Sequence, residues 1–149
     1  MKKLLIIIGL LTAIVFKSSA QNTEELAIKK VLNIYKAAVE NLTTNGIVNL
    51  FTKDSEIIES GKVEGNIAAY LDHHLGPELK EFKSFKFSNY TVKVQIDNNY
   101  AFTTEDYIYT IILKDAKEIK QKGVATSILQ KTSEGWKIKS THSSARRIK

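Results

Sequence analysis

A change of phase in the apolar pattern after Phe87 constrains this chain more than any other feature. Phe82, Phe85 and Phe87 are assigned to one side of an extended segment, whereas Tyr90, Val92, Val94 and Ile96 carry the opposite parity. Side chains alternate across a strand, so one inserted residue sends every later side chain to the other face. The pattern therefore predicts a β-bulge near Ser88-Asn89 and a strand that bends there. Asp97-Asn98-Asn99 supplies turn chemistry, and a long strand then runs to Leu113. A polar turn over 114–116 and strands over 117–131 and 135–143 follow, with Gly135 at the last turn. Four consecutive long strands imply an antiparallel meander.

Upstream, the pattern is helical. Over 23–42, Leu26, Ala27, Val31, Leu32, Ile34, Tyr35, Ala38, Val39 and Leu42 recur at the i, i+3, i+4 spacing of an amphipathic helix. Thr23 is placed to cap it, with Glu24 and Glu25 complementing the dipole in its first turn. A short helix is expected over 47–51, a short strand over 55–60, a turn bracketed by Gly61 and Gly65, and a second helix over 66–75 that Gly76-Pro77 stops. Helices first and a bulged sheet afterwards give the α+β class: N-terminal helices packed on a strongly curved antiparallel sheet.

The first twenty residues carry Lys2 and Lys3, an apolar run from Leu4 to Phe16 and a small-residue ending, Ser18-Ser19-Ala20. That is the build of a cleavable secretory signal, and its apolar run is shorter than the roughly 20 residues a membrane span needs. The expected organisation is a signal peptide over 1–20 and one domain over 21–149, exported to a periplasm or secreted, with no membrane attachment after cleavage. The chain has no cysteine, which excludes disulfides, thiol nucleophiles and thiolate metal sites. Of 22 basic residues, Lys2, Lys3 and Lys17 belong to the leader, which leaves 19 against 16 acidic ones. The remaining lysines are scattered, so a nucleic-acid partner is not expected.

The order of elements, the TKDSEIIESG segment and the ending GVATSILQKTSEGWKIKSTHSS resemble the nuclear transport factor 2-like superfamily. The resemblance is to its exported bacterial branch, related to SnoaL-like and kinase II association-domain-like proteins, and it covers the chain from Thr23 to Ser144. It implies a cone of curved sheet around helices, commonly dimeric, with a cavity at the wide end. It implies no cofactor, and its members range from isomerases, cyclases and dehydratases to proteins that only bind or assemble.

His142 is the leading candidate, since it shares alternate positions with Trp136, Ile138, Ser140, Ser144 and Arg146 on the last strand. On that parity the face begins as core and ends as hydrogen-bonding groups at a cavity rim, where a histidine can bind ligand or move a proton. Arg146 offers a planar fork for a carboxylate, against the alternative of a solvated terminus. Tyr35 and Tyr70 are expected to pack in the core with hydroxyls available to a pocket, and Glu59, Thr126 and Ser144 are further ligand candidates. Along the strand that begins at Tyr100, the sequence leaves the concave face open. One alternative turns Thr103, Glu105, Tyr107 and Tyr109 inward, with Glu105 as base and a tyrosine as donor; the other turns Asp106 inward in that part. Asp72, His73 and His74 lie too far apart around a helix to grip one ion, so no metal site is expected.

Three functions remain open at this point. The first is an exported, non-catalytic pocket protein for a small apolar or amphipathic molecule. The second is a lyase or isomerase that removes a proton next to a carbonyl, using His142 or an inward carboxylate. The third is a dimeric assembly module that pairs through its outer sheet face.

Overall fold

The computed structural model describes residues 2–148, with side chains from Gln21 onward. The expected signal peptide falls on side chains outside that range. Helix α1 spans Lys2–Glu40, so Thr23 lies within the helix and does not cap it. Glu24 and Glu25 are used differently from the expected dipole role. Glu24 accepts from Trp136 Nε1 at 2.6 Å and from Lys131 Nζ at 2.7 Å, and Glu25 pairs with Lys29 at 2.6 Å. The buried stripe is Ile28, Leu32 and Val39, with Tyr35 packed beside it, whereas Leu26 and Ile34 face outward. That stripe lies at i, i+4, i+7, i+11, the narrow seam of one helix face.

A 3-10 turn at Ile47–Leu50 leads into β1, Phe51–Glu59. Ser60 and Gly61 both have positive φ, at 50° and 85°, which closes a two-residue hairpin onto β2, Lys62–Gly65. The sequence pattern predicts a turn here and no second strand, because β2 is only four residues long, Lys-Val-Glu-Gly. Asn66 caps α2, Ile67–Tyr70, by accepting from the Ala69 amide at 3.0 Å.

Gly76-Pro77 does not end the helical path. A single π-helical turn at Leu71–Leu75 passes directly into α3, Gly76–Glu81, with Pro77 in its first turn, where a missing amide hydrogen costs least. Gly76 has ordinary helical φ; its role is space. A Cβ there would meet the Leu71 carbonyl oxygen at 2.3 Å.

Four long strands complete the chain: β3 (Phe82–Asp97), β4 (Tyr100–Leu113), β5 (Glu118–Thr132) and β6 (Gly135–Arg147). The sheet order is β2-β1-β6-β5-β4-β3, strongly curled and not closed. The β3–β6 meander is antiparallel, but β1 runs parallel to β6, so the sheet as a whole is mixed. The register of β3 against β4 shifts between Ser88 and Thr91, and Asn89 has φ 51°, which is the bulge that the phase change indicates. A second bulge lies between Phe82 and Ser84.

A third bulge decides the site. Ile138 pairs with Leu129 and Ser140 pairs with Ile128, so Lys139 is an extra residue in β6. Trp136 and Ile138 are buried before it, and Thr141 and Ser143 take the inward positions after it. Among the described residues, no helix is long and apolar enough to cross a membrane.

Candidate functional site

A cavity of about 200 Å³ opens between α1, the α2–α3 segment and the concave face of the sheet. Its walls follow from the bulges. Phe85 and Phe87 reach it from β3 before the Ser88–Thr91 irregularity and Tyr90 reaches it after, so both parities of that strand converge on one space. β4 contributes its odd-numbered residues. Glu105, Tyr107, Tyr109 and Ile111 line the cavity, and Asp106 belongs to the other face. The alternative in which Asp106 serves as base is therefore excluded by register.

The aromatic walls are continuous. The Phe85 and Phe87 centroids lie 4.9 Å apart, Phe85 and Tyr109 stack at 5.4 Å, and Phe87 meets Tyr107 edge-on at 5.1 Å. Such offset and edge contacts fix ring orientation as well as bury area. Tyr109 donates to Gln121 Oε1 at 2.8 Å, which holds its ring in place.

Glu105 is 8% exposed and accepts from the Tyr90 hydroxyl. Burial raises its pKa, and the Tyr90 hydrogen bond offsets only part of that rise. Burial also raises the phenols of Tyr35, Tyr70, Tyr90, Tyr107 and Tyr109, with nearby glutamates adding repulsion. These hydroxyls are neutral hydrogen-bond donors throughout the physiological range.

A second polar cluster lies at the α2–α3 side. Tyr70 donates to Glu59 Oε2 at 2.6 Å and stacks on His74 at 5.2 Å between centroids. His74 Nε2 lies 3.4 Å from Glu59 and 3.5 Å from Glu78, while its Nδ1 lies 3.5 Å from Glu64. Glu64 also bonds His73 at 3.0 Å and Lys62 at 3.0 Å. Glu59 and Glu78 both line the cavity, and burial raises the Glu78 pKa. His73 and His74 thus tie β1, β2 and α3 together through carboxylates.

Of the residues singled out from sequence, Tyr35, Glu59, Tyr70, Tyr107, Tyr109 and Glu105 line the cavity. Ser144 touches its edge while remaining exposed. Three placements are corrected. His142 and Arg146 are exposed and outside the lining, because the extra residue at Lys139 reverses the parity on which both were placed. Thr126 pairs with His142 and is exposed with it, while its neighbours Ala125 and Ser127 line the cavity. Sequence reasoning also missed Lys36, Glu78, Thr141 and Ser143, all in the lining. Lys36 and Glu78 were legible only as solvated helix charges, and the hydroxyls depend on a bulge in a polar stretch.

The SnoaL-like domain model matches residues 28–147. The chain belongs to the SnoaL-like domain family. Solved structures described as nuclear transport factor 2-like share the fold of this SnoaL-like domain. A superfamily protein from Salmonella enterica serovar Typhimurium aligns with a TM-score of 0.76 at 16% identity, covering 86% of this chain and 94% of that one. A protein from Streptomyces avermitilis described as a candidate dehydratase gives 0.74 at 16% identity, covering 85% and 99%. One from Shewanella frigidimarina described as a candidate ketosteroid isomerase gives 0.69 at 24% identity, covering 78% and 94%. At these identities the likeness carries the fold. No curated protein matches this chain significantly.

Proposed function

We propose that this SnoaL-like domain binds a small, largely apolar molecule in its aromatic cavity. The observation that carries the reading is the continuous wall of Phe85, Phe87, Tyr107 and Tyr109 around about 200 Å³ of space, with neutral phenols supplying directional bonds. Concave, mainly aromatic sites with a few placed polar groups are the usual build of small-molecule pockets. The volume lies below the roughly 300–1,000 Å³ of drug-sized sites, which suits a ligand of one ring or a short chain. Ligand-observed NMR with indole and 4-methylphenol tests this. Saturation transfer with mutual competition is expected from wild type and its loss from Ala125→Leu, which adds bulk to the wall. Absence of transfer to either probe overturns the reading.

Proton abstraction next to a carbonyl is a second reading, favoured by the inward, buried Glu105 whose pKa is raised. A carboxylate of raised pKa is a stronger base once ionised, and a phenol of Tyr107 or Tyr109 would face the developing oxyanion. The structure described as a candidate ketosteroid isomerase shares the fold and lends this reading some support. Solvent deuterium exchange into phenylacetone should then be faster than buffer alone and fall to the buffer rate in Glu105→Gln. Exchange at the buffer rate in wild type removes this reading.

The leader-like 1–20 segment and the superfamily resemblance support an exported homodimer. Phe102 and its cross-strand partner Ile128 are 46% and 38% exposed on the outer sheet face, available to a second copy. Intact mass of the cell-exported form and sedimentation equilibrium test the two parts.

A further inference from the structure

The charges around the cavity are unequal in sign. Glu59, Glu78 and Glu105 line it, and Lys36 is the basic side chain in the lining. The Lys36 ammonium is already committed, bonded to Glu40 at 2.9 Å. Glu59 and Glu78 share the His74 imidazole at 3.4 and 3.5 Å. Glu105 has no basic partner among the described residues; its hydrogen-bond partner is the Tyr90 hydroxyl. A buried carboxylate without a cation is costly, and a ligand that supplied the cation would relieve that cost.

A cation of the protein itself already sits against two of the rings beside Glu105. Lys36 Nζ sits 5.7 Å from the Phe87 centroid and 5.6 Å from that of Tyr90. Both distances are within the range in which a ring face attracts a cation. Tyr90 and Tyr107 stack at 6.2 Å, next to the carboxylate they flank. The rim after the Lys139 bulge adds Thr141 and Ser143, which can accept from an ammonium. Lys36, held by Glu40, is the basic side chain of the lining among the described residues; Arg146 and Arg147 are exposed and outside it.

Resting on the binding reading above, we propose that the cavity selects an organic cation, a small arylalkyl or alkyl amine whose ammonium pairs with Glu105 beside the Tyr107 ring. The apolar part of such a ligand occupies the Phe85 and Tyr109 side. Selectivity comes from the carboxylate and the ring faces, and the hydrophobic contact alone is shared by neutral analogues.

Isothermal titration of the mature domain at pH 7.5 with 2-phenylethylamine, 2-phenylethanol and phenylacetate isolates charge at nearly constant shape. The amine should bind about tenfold tighter than the alcohol, and phenylacetate should bind weakest. In Glu105→Gln, with folding verified by circular dichroism, the amine should lose its advantage over the alcohol. If the alcohol equals the amine in wild type, or phenylacetate exceeds it, the cation inference is overturned while the pocket reading stands. If Glu105→Gln keeps the preference, the pairing with Glu105 is overturned. If none of the three probes binds wild type, both this inference and the binding reading fall.

Discussion

The Tyr107 ring lies across Gly123, its cross-strand partner: a Cβ placed on Gly123 would come within 2.3 Å of the Tyr107 Cε2 atom. The missing side chain on β5 is what lets a β4 tyrosine lie flat along the cavity wall. Gly123→Ala should push the ring into the cavity and cost about 1–3 kcal/mol through overpacking. Urea unfolding gives the stability loss, and probe titration should show weakened binding. Unchanged binding and stability would mean the ring has room elsewhere.

Glu105 carries a stability cost with a defined pH dependence. Burial holds its folded pKa above the ordinary 4.5, so the folded state keeps the proton to higher pH than the unfolded chain does. Stability therefore falls as pH rises from about the unfolded value toward the raised one, and stays lower above it. Glu105→Gln keeps an oxygen for Tyr90 and removes the charge. Its melting midpoint should exceed wild type at pH 7 by about 2–6 °C and converge with it near pH 4. A lower midpoint at pH 7 would contradict the cost assigned to the charge.

The parts of this fold legible in sequence are those where one strand face is apolar and the other polar. The bulge at Ser88–Thr91 could be inferred because Phe87 and Tyr90 betray the change of parity, and the helix of Ile28, Leu32 and Val39 because its stripe is continuous. β4 could not be decided, since Phe102 and Ile108 on one face are as apolar as Tyr107 and Tyr109 on the other. β6 misled for a related reason. Beyond Ile138 both faces are small or polar, so an added residue at Lys139 leaves no trace in the pattern, and simple alternation puts His142 inward where the structure has it exposed. The His74 cluster was hidden differently: its partners Glu59 and Glu64 come from strands that only the fold brings alongside the helix.

Glu40 ties α1 to the bend of β3. Its Oε1 accepts from the Phe87 amide at 2.9 Å and its Oε2 from Lys36 at 2.9 Å. Burial works to raise its pKa, but these two bonds outweigh it and hold the carboxyl below the ordinary range. That contribution is present above the unfolded value of 4.5 and lost as pH falls through the depressed folded one. Glu40→Ala should cost about 1.5–3 kcal/mol at pH 7, and the gap from wild type should shrink below pH 4. Fluorescence of Trp136, the single tryptophan, reports the urea transition. A gap that persists undiminished in acid would rule out the charge as its source.

Gly76 is required by distance alone. Gly76→Ala would set a Cβ 2.3 Å from the Leu71 carbonyl oxygen, which is backbone and cannot swing away. A loss of about 3 kcal/mol is expected, with the π turn forced to rewind. Denaturant midpoints measured beside Gly61→Ala, where open space surrounds the position but φ is positive, separate collision from backbone strain. Equal losses at both sites would argue against collision at Gly76.

Because Lys139 is left out of the ladder, the pairing of β6 sets the chemistry of the hollow as firmly as its letters do. Were the ribbon paired straight through, with Lys139 opposite Ile128 and no bulge, Ser140, His142 and Ser144 would stand where Thr141, Ser143 and Ala145 now stand. A neutral hydroxyl margin would become one bearing an imidazole, with every downstream amino acid unchanged. Within this architecture, then, one irregularity in strand pairing decides which half of a polar ribbon borders the hollow.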